Sequence, residues 1–496
     1  MKKVLLLLLA LSLTLAFLTA CQKNDAPPVD TSEEETKAEI TTADILGFDK
    51  QNYNKEFKIL LNNSIELYER DFKVDANASD VVSVATYDRN LACEEYLGLS
   101  LEYVPEGGNY NSGMPDRLYN LVMNGACEYD MVAMGMNTGI IGRYIDIYQN
   151  ILKMDYIELT HPWWVQDMTN QISINGQLYF LTGDACVTTY AYIGCIFANL
   201  NVAENFNLDV DFYELVKSGN WTMEEFLRLF KLVGVDENND GTYDPKIDTY
   251  GWANIGIGVR LIWSSCDISL VERQDNGTIA VRETLDDRVI KFVESIKTAL
   301  DDPHSSYLVD NTASIAIAID SFVSDRVLFA SYMLSLAESL KVNNIESPFA
   351  ILPLPKYDTQ QKDYISTNMP AYNALSFPIS IQSLDMSAQV AEFMGWYGQE
   401  YIIPAYYDQA LKYRQNDVEA NIEMIDLIRE KLRVTPNEIY GVMSTSNASA
   451  PMYYTQTTPT NTAADTGFYS NPASVWKGAY ASMSDTIKSY VLQYYD

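Results

Sequence analysis

The chain has 496 residues and a formal net charge of −33, with 67 acidic residues against 34 basic ones. A field of that sign repels phosphate backbones, so it excludes nucleic acids and polyanionic substrates as favoured partners. The hydrophobic content of 47% and the mean hydropathy of −0.12 are typical of a soluble globular protein, and the length predicts two lobes rather than one core.

The first residues have the pattern of an export signal. Two lysines precede an uncharged apolar run, Val4–Leu18, which is too short for a stable membrane span. The run ends in Leu18-Thr19-Ala20-Cys21, which resembles the bacterial lipobox, where cleavage exposes a cysteine that carries the lipid. We therefore expect residues 1–20 to be a signal peptide and the acyl chains (palmitate) on Cys21 to anchor the protein on the extracytoplasmic face of the cell membrane. The alternative is an ordinary secretory signal with an incidental cysteine.

Residues 21–50 have the composition of a disordered tether. They include Pro27-Pro28 and the acidic run Glu33-Glu34-Glu35, and almost no aromatic side chain. Such a segment cannot bury enough apolar surface to offset the loss of chain entropy on folding. The folded body is therefore expected to begin near residue 51.

The folded body opens with alternating strands and helices. The predicted order is a strand, a helix that stops at Gly98, a strand, a helix and a strand: Phe57–Leu61, Asp80–Leu97, Leu99–Val104, Asp116–Asn124 and Tyr129–Gly135. This order predicts an α/β fold with a mostly parallel sheet. Ligands of such sheets lie beyond the carboxyl ends of the strands, which singles out Asn62 and Met134–Asn137.

Further along the chain, the clearest helix start lies at Trp221–Phe226. Thr222 and Glu225 have the spacing of a capping box, and the two aromatic residues at the ends have that of a hydrophobic staple. Isoleucines at 422, 425 and 428 predict a later amphipathic helix. Ser444–Ser474, rich in small polar residues, is expected to be a long surface loop whose aromatic side chains let it cover a cleft.

One segment has the spacing of a calcium loop. Oxygen-bearing side chains recur at every second position, and a glycine follows the third of them, at Asp236, Asn238, Asp240, Thr242 and Asp244. The twelfth position, normally a glutamate, is Ile247, so the loop is incomplete unless Asp248 or a distant acid closes it. A structural calcium ion is one interpretation. An Asx-rich surface turn, held by side chain to backbone hydrogen bonds, is the other.

The cysteines and histidines favour neither a zinc site nor a disulfide framework. Five cysteines remain in the body, an odd number, and none lies in a C-x-x-C pair. His161 and His304 are the only histidines, so a structural zinc site is hard to assemble. We expect buried thiols, although the sequence leaves any pairing among the cysteines open. No cofactor is required by any motif.

Eight separated segments together resemble the extracellular solute-binding proteins of family 1, the sugar-binding class of ABC importers. They occur in the family's order across nearly the whole mature chain: Tyr87–Asn90, Tyr129–Val132, His161–Trp164, Gly176–Phe180 with Thr182–Asp184, Tyr213–Val216 with Trp221–Phe226, Asp236–Asp240 with Tyr250-Gly251, Ile351–Asp358 and Ile403–Asp408. The resemblance is greatest to a subgroup from anaerobic Gram-positive bacteria. It implies hinge-closing ligand capture without catalysis, ABC importer permease subunits as partners, and a monomer.

The same resemblance implies a two-lobed periplasmic-binding-protein-like fold of type II, each lobe a mostly parallel sheet flanked by helices. Carried over, residues 51–160 and 311–384 form lobe one. Residues 161–310 and 385–496 form lobe two. The ligand is expected between them.

The aromatic content favours a sugar or oligosaccharide as that ligand. The chain has 35 Tyr and 7 Trp, whose rings offer flat apolar faces to sugar C–H groups and polar edges to hydroxyls. Candidate ligand contacts combine such rings with polar residues near the predicted strands, although packing in the core explains each of them equally well: Asn62, Asp130, Trp163, Trp164, Trp252, Trp263 and Tyr406.

Two other functions stay open on the sequence alone. A glycan-tethering surface lipoprotein without a transporter would need the same anchor and the same aromatic residues. A glycoside hydrolase would draw its paired carboxylates from the 67 acidic residues, but nothing in the sequence fixes two of them at a catalytic separation. Ser-His-Asp chemistry would depend on His161 or His304, and we interpret His161 as a packing residue.

Overall fold

The computed structural model describes residues 40–62, 69–106, 114–136, 145–166, 168–255, 258–302, 306–309, 312–369, 371–411, 418–440 and 471–495. The predicted signal peptide, Cys21 and most of the tether lie outside these ranges, as does the predicted loop Ser444–Ser474 up to residue 470. The chain separates into two compact units, Met1–Ile45 and Leu46–Asp496, and the description below concerns the second.

The first sheet contains four strands: β1 (Glu56–Asn62), β2 (Ser100–Glu106), β3 (Met131–Gly135) and β12 (Asn373–Ser376). Their order is β12-β3-β1-β2, with β1 parallel to both of its neighbours and β12 antiparallel to β3. The three sequence-early strands and the helices between them, α2 (Val81–Leu97) and α3 (Met114–Met123), confirm the predicted α/β order. A mostly parallel sheet is confirmed for this lobe.

Local chemistry explains the sharp ends of α2. Asp80 accepts a hydrogen bond from the backbone N–H of Ser83, as an N-cap does. Gly98 ends the helix in the left-handed conformation, with φ of 59°, and a Cβ there would lie 2.6 Å from the Cα of Asn52. Only glycine fits that position.

The second sheet contains six strands: β4 (Gly194–Asn199), β5 (Gly234–Val235), β6 (Thr249–Ile255), β9 (Ser306–Val309), β10 (Val327–Met333) and β11 (Phe349–Pro353). The order is β11-β4-β10-β6-β5, with β9 also paired to β6. Only the β10–β6 and β6–β9 pairs are parallel. The expectation of a mostly parallel sheet is therefore wrong for this lobe, whose sheet is mixed. Strands β7 (Val271–Arg273) and β8 (Ile279–Val281) form a separate hairpin.

Helices cover both sheets. The remaining helices are α1 (Thr42–Leu46), α4 (Met168–Ile172), α5 (Thr188–Ala191), α6 (Leu200–Asn205), α7 (Phe212–Lys217), α8 (Met223–Phe230), α9 (Gly258–Ser265), α10 (Asp287–Leu300), α11 (Thr312–Val323), α12 (Leu336–Val342), α13 (Leu384–Tyr397), α14 (Ile403–Leu411), α15 (Val418–Glu430), α16 (Pro436–Tyr440) and α17 (Pro472–Tyr490). Short 3₁₀ turns lie at Ile145–Ile147, Ile151–Lys153 and Leu492–Tyr494, and a π-helix at Gly398–Ile402 joins α13 to α14.

Two sequence predictions for these helices are confirmed in part. Thr222 caps α8 through the N–H of Glu225, and Trp221 packs edge-on against Phe226 at 5.9 Å between ring centroids. The carboxylate of Glu225, however, accepts hydrogen bonds from Arg228 instead of reaching back to the N–H of Thr222, so the second half of the predicted capping box is not formed. The predicted loop Ser444–Ser474 ends earlier than expected, because α17 already begins at Pro472.

The strand pairing divides the chain differently from the expected lobe boundaries. The expected boundaries place residues 311–384 in lobe one, but β10 and β11 belong to the second sheet and only β12 pairs with the first. They place residues 385–496 in lobe two, but α13 packs against α2 of lobe one. Lobe one is therefore built on the first sheet with α2 and α13, and lobe two on the second sheet.

Two antiparallel segments cross between the lobes. The first runs from Leu181, which bridges to Leu375, to Ile193, which bridges to Asn368 just before β4. The second returns through Asn368, whose side chain donates to Thr189 O at 3.1 Å, and enters β12. The π-helix and α14 form a further connection, since α14 contacts both α2 and α12.

No helix in the described part of the chain is both long and apolar enough to cross a membrane. The cysteines of the described residues are free thiols. Cys93, Cys186, Cys195 and Cys266 are buried and Cys127 is half-buried, which confirms the expectation of buried thiols for four of the five.

Candidate functional site

The carboxyl ends of the parallel strands in both sheets point towards the segments that cross between the lobes. Asn62, at the end of β1, is 8% exposed, and Tyr372 O accepts from the N–H of Met136 just after β3. In lobe two, β10 is followed by Leu334 and then by α12. The N–H of Leu334 donates to the backbone oxygen of Ile193, at the end of the first crossing segment. We call the region where these strand ends and the crossing segments meet the lobe junction.

A charged pair joins the lobes at this junction. Arg70, which follows β1, places its Nη2 atom 3.6 Å from Oε2 of Glu338 in the first turn of α12. The Tyr406 side chain of α14 is fully buried beside them, and burial together with the Glu338 carboxylate raises its pKa. Nη2 of Arg70, Oε1 of Glu338 and the Tyr406 hydroxyl are buried atoms, and the Tyr406 hydroxyl lies within hydrogen-bonding reach of the Glu338 carboxylate.

Buried polar atoms without partners are costly, about 1–3 kcal/mol each when a hydrogen bond is missing. Native proteins keep such atoms paired with protein groups, with water or with a ligand. The side chains of Arg70, Glu338 and Tyr406 therefore form a buried polar cluster with hydrogen-bonding capacity at the lobe junction. Tyr406 is the one aromatic residue predicted from the sequence that lies in such a cluster, although it offers its hydroxyl rather than an exposed ring face.

A second polar cluster connects lobe two with the second crossing segment. Arg260 of α9 is 7% exposed, and burial lowers its pKa to about 10, which the carboxylate of Glu438 opposes. Glu438, in α16, is 4% exposed, and burial raises its pKa. Tyr372, from the second crossing segment, is fully buried and experiences the charge of Glu438. Nη2 of Arg260 and the Tyr372 hydroxyl make no hydrogen bond within the described residues.

A hydrogen-bonded cluster around Asp71 and Arg89 connects the first crossing segment to lobe one. Asp71 accepts hydrogen bonds from the N–H of Thr188 at 3.1 Å and from the Asn373 amide at 2.9 Å. Burial nevertheless raises the pKa of Asp71 to about 6. The Arg89 guanidinium donates to the backbone oxygen of Asp71 at 2.8 Å and to the backbone oxygen of Ala185 at 2.9 Å. This cluster fixes the start of the connection and leaves few donors for a ligand.

Another ion pair connects the first crossing segment to lobe two. Arg429 of α15 donates to Oδ2 of Asp184 at 2.6 Å, and its guanidinium lies 5.0 Å from the ring centroid of Tyr190. The Tyr190 hydroxyl donates to the other oxygen of Asp184. Asp184 is fully buried, and this burial raises its pKa to about 7 although Arg429 opposes the shift.

Two of the predicted aromatic residues, Trp163 and Trp164, lie in lobe one against α13. Trp164 donates its indole N–H to Oε2 of Glu392 at 3.0 Å, and His161 bonds the other oxygen of that carboxylate. Burial raises the pKa of Glu392 to about 7. Trp163 is 3% exposed and stacks at 4.2 Å on the His161 ring, in agreement with packing as the role of His161.

The other two predicted tryptophans lie inside lobe two. Trp252 of β6 has no exposed surface, packs on Phe226 and Phe230, and donates its indole N–H to Ser331 at 3.0 Å. Trp263 of α9 is 1% exposed and packs edge-on against Phe292. A stacking platform needs an open ring face. Because both rings are buried, neither Trp252 nor Trp263 can act as a stacking platform for a ligand in this conformation.

Asp130 lies at the amino end of the parallel strands in the first sheet, whereas Asn62 lies at their carboxyl end. Its Oδ2 atom accepts from the N–H of Lys58 at 2.9 Å, at the beginning of β1, and its backbone oxygen accepts from Ser387. Burial raises its pKa. The residue precedes β3 rather than following it, so it stands away from the strand ends that meet the other lobe.

The predicted calcium loop is closed by its own backbone. Asp236 accepts from the N–H groups of Asp240 and Gly241, and Asp240 accepts from Thr242 at 2.7 Å. Asp248, fully buried, accepts from the N–H groups of Glu237 and Asp244. Within the described ranges, no three His, Cys, Asp or Glu side chains converge as a metal site requires. The geometry is that of successive Asx turns, and calcium at Asp236, Asn238, Asp240, Thr242 and Asp244 stays a prediction.

The sequence interpretation missed most of the polar residues at the junction. Arg70, Arg260, Glu338 and Glu438 carry no motif, because each becomes a site residue only through contacts distant in sequence. One signal was available: Arg70 follows the first strand, at the edge where ligands of parallel sheets lie.

Comparison with known proteins supports the same architecture. No protein-family model matches the sequence, and no curated protein is significantly similar to it. Among solved structures, a cyclo/maltodextrin-binding protein complexed with maltotetraose matches with a TM-score of 0.55 and 11% identity, over 88% of this chain and 97% of that one. The apo form of RafE from Streptococcus pneumoniae matches at 0.53 and 13%, over 88% and 100%.

A third match is the ABC substrate-binding protein Lmo0181 from Listeria monocytogenes in complex with cycloalternan, with a TM-score of 0.51 and 9% identity over 88% and 99% of the two chains. At these identities the likeness concerns the fold. The chain therefore has the two-lobed, type II periplasmic-binding-protein-like fold, which confirms the fold class expected from the sequence.

Proposed function

We propose that this protein captures a neutral sugar or oligosaccharide between its two lobes and presents it to the permease of an ABC importer, without catalysis. The observation that carries the proposal is the meeting of Arg70 from lobe one with Glu338 from lobe two, beside the buried hydroxyl of Tyr406. Solved proteins of the same fold bind maltotetraose and cycloalternan, and one of them is an ABC substrate-binding protein.

The charges at the junction favour a neutral ligand. Arg70 lies beside Glu338, and Arg260 lies beside Glu438, so each cluster presents donors and acceptors with little net charge. Sugar hydroxyls both donate and accept hydrogen bonds, and they satisfy such mixed clusters in a way that an anion or a cation does not. The net charge of −33 repels anions as well.

Capture by closure follows from the connections. The two crossing segments are short and paired with each other, whereas Arg70 and Glu338 approach from different lobes. A ligand that contacts both lobes favours the closed arrangement by its difference in affinity for the two states.

The test is a thermal-shift screen of neutral glycans followed by titration calorimetry. We expect one class of neutral glycan to bind with one-to-one stoichiometry and little salt dependence, since no ion pair with the ligand is broken. Binding only to peptides or only to metal ions would contradict the proposed binding of a neutral glycan. Turnover of a bound glycan would instead support a glycoside hydrolase.

We further propose that the protein is held outside the cell membrane by acyl chains on Cys21, after cleavage of a signal peptide. The support is the basic start, the short apolar run and the small residues before the cysteine. Cys21→Ser should release the protein from the membrane or leave the signal uncleaved, as fractionation and mass spectrometry would reveal. Unchanged retention with correct cleavage contradicts the anchor. Membership of the family 1 solute-binding proteins, and of their subgroup in anaerobic Gram-positive bacteria, is part of the same proposal.

A further inference from the structure

The first crossing segment is fixed to lobe one at Asp184. The backbone N–H of Asp184 donates to the backbone oxygen of Trp163 at 2.8 Å. On another side, a Cβ at Gly398 would overlap the backbone oxygen of Asp184, so only glycine lets the π-helix lie this close. The next residue, Ala185, accepts a hydrogen bond from the buried Arg89 of α2. These contacts hold the backbone of Asp184 in place from the side of lobe one.

A partner of the Asp184 carboxylate comes from lobe two. Arg429, near the end of α15, donates to Oδ2 of Asp184 at 2.6 Å. Helix α15 is itself fixed to β11 of lobe two, because the Asn421 side chain accepts from the N–H of Ile351 at 2.7 Å and donates to the backbone oxygen of Phe349 at 3.1 Å. The ion pair of Asp184 and Arg429 therefore connects a segment held by lobe one to a helix held by lobe two.

The two members of this ion pair differ in their access to water. The Asp184 side chain has no exposed surface, whereas the Arg429 side chain is 28% exposed. Removing a carboxylate from water is costly, and its attraction to a partly hydrated guanidinium offsets only part of that cost. Burial therefore raises the pKa of Asp184 to about 7 although Arg429 opposes the shift. Any movement of α15 that admits water to this carboxyl lowers its pKa towards the ordinary value of 3.8.

Two tyrosines and one further carboxylate face the pair. Tyr190, on the same segment, donates its hydroxyl to Oδ1 of Asp184, and burial raises the pKa of Tyr190 well above 10. Tyr407 of α14 faces Arg429 and Asp184, and burial raises its pKa as well. Asp426, one turn before Arg429 on α15, is exposed and faces Tyr407. Both tyrosines therefore stay neutral near pH 7, and the Tyr190 hydroxyl is able to accept as well as donate a hydrogen bond.

We propose that Asp184 and Arg429 form a proton-controlled link between the lobes, in which uptake of a proton by Asp184 tightens the packing of α15 against the first crossing segment and its loss loosens that packing. The protonated carboxyl keeps both hydrogen bonds of the packed arrangement, because Arg429 donates to one oxygen and the Tyr190 hydroxyl accepts from the other. The carboxylate, in contrast, gains hydration when α15 moves away.

Thermodynamic linkage gives the sign of the pH dependence. The packed arrangement, with the raised pKa of Asp184, holds the proton more tightly than an arrangement in which water reaches the carboxyl. The free energy needed to move α15 away should therefore fall as pH rises from about 3.8 to about 7, and then level off.

The link itself is a property of the ligand-free protein. It also makes the affinity for a captured glycan depend on pH, since a ligand that contacts both lobes responds to any bias in their arrangement. That consequence alone rests on the proposed function.

The experiment measures amide hydrogen exchange of α15 relative to β1, by mass spectrometry, in the ligand-free protein at about pH 5.5 and about pH 8, with exposure times scaled for the intrinsic rate. We compare wild type with Asp184→Asn, which mimics the protonated carboxyl, with Arg429→Gln, and with the matched control Glu419→Gln at an exposed position of the same helix. We expect protection of α15 to be about tenfold or more lower at the higher pH in wild type and in Glu419→Gln. Asp184→Asn should show no such decline.

Arg429→Gln gives a second readout. It should move the decline in protection to higher pH, because the guanidinium opposes the effect of burial on the pKa of Asp184. Equal pH dependence in wild type and Asp184→Asn, or stronger protection of α15 at the higher pH, overturns the link. A wild-type protein that shows the decline and binds no glycan would overturn the proposed function and leave the link standing.

Discussion

The aromatic core of lobe two and the polar lobe junction are both buried, but their side chains are buried in different ways. In the core, Trp252 lies between Phe226 and Phe230, and its single polar atom is paired with Ser331. At the junction, Arg70 and Glu338 are also largely enclosed, and they form an ion pair between the two lobes. The difference teaches that Trp252 serves the core of lobe two, whereas charged residues from different lobes meet at the junction.

Trp252→Ala is expected to have the largest effect on stability. It removes a fully buried indole from β6 and leaves a cavity against two phenylalanines, which costs about 3–5 kcal/mol of unfolding free energy. Denaturant unfolding measures the loss, with Trp252→Phe as the conservative control. If Trp252 were instead a ligand platform, the variant would keep its stability and lose glycan affinity, and the comparison would fail.

A smaller effect is expected from Glu392→Gln, and it depends on pH. Burial raises the pKa of this carboxyl from 4.5 to about 7 in the folded protein, so the folded state holds the proton more tightly than the unfolded chain does. The free energy of unfolding of the wild type should therefore fall as pH rises from about 4.5 to about 7, and then level off. The glutamine variant keeps an acceptor for Trp164 and lacks this part of the decline, at most about 3 kcal/mol.

Unfolding titrations between acid and neutral pH measure the difference between the two proteins. Glu400→Gln, at an exposed position close in sequence, is the matched control and should follow the wild type. Parallel pH profiles for wild type and Glu392→Gln would show that Glu392 is not a buried proton-binding group.

Calcium is expected to have the smallest effect. If the loop at Asp236 binds calcium, the ion stabilises the folded state by mass action and raises the melting temperature by a few degrees at most. Millimolar calcium added after chelation is the measurement, and Asp240→Asn should remove the shift. No shift in the wild type leaves the loop as the set of Asx turns that its hydrogen bonds describe.

The sequence predicted those parts of the fold that local rules control. Asp80 and Gly98 delimit α2, and Thr222 begins α8, because caps and left-handed glycines act within a few residues. The lobe boundaries and the mixed second sheet were not predictable in this way. The pairing of β10 and β11 with β4 joins segments more than a hundred residues apart, and no local pattern encodes it.

The candidate site was predictable to a still smaller extent. Residue type selected tryptophans, and the same apolar surface that suits a sugar also suits a core, where the four Trp candidates lie. The sequence interpretation named Tyr406 and Asn62, and both residues lie at the lobe junction. Its partners Arg70 and Glu338 were not, because an arginine and a glutamate from different lobes become neighbours only after both lobes have folded.

The most direct test of glycan capture between the lobes is titration calorimetry of Arg70→Ala with the best neutral glycan from the screen. The matched control is Arg228→Ala, which removes an arginine from an exposed pair on lobe two. We predict that Arg70→Ala weakens binding about tenfold or more, as expected for loss of a charged hydrogen bond, and that Arg228→Ala binds as the wild type does. Equal affinity of all three proteins for the glycan would contradict binding at the lobe junction.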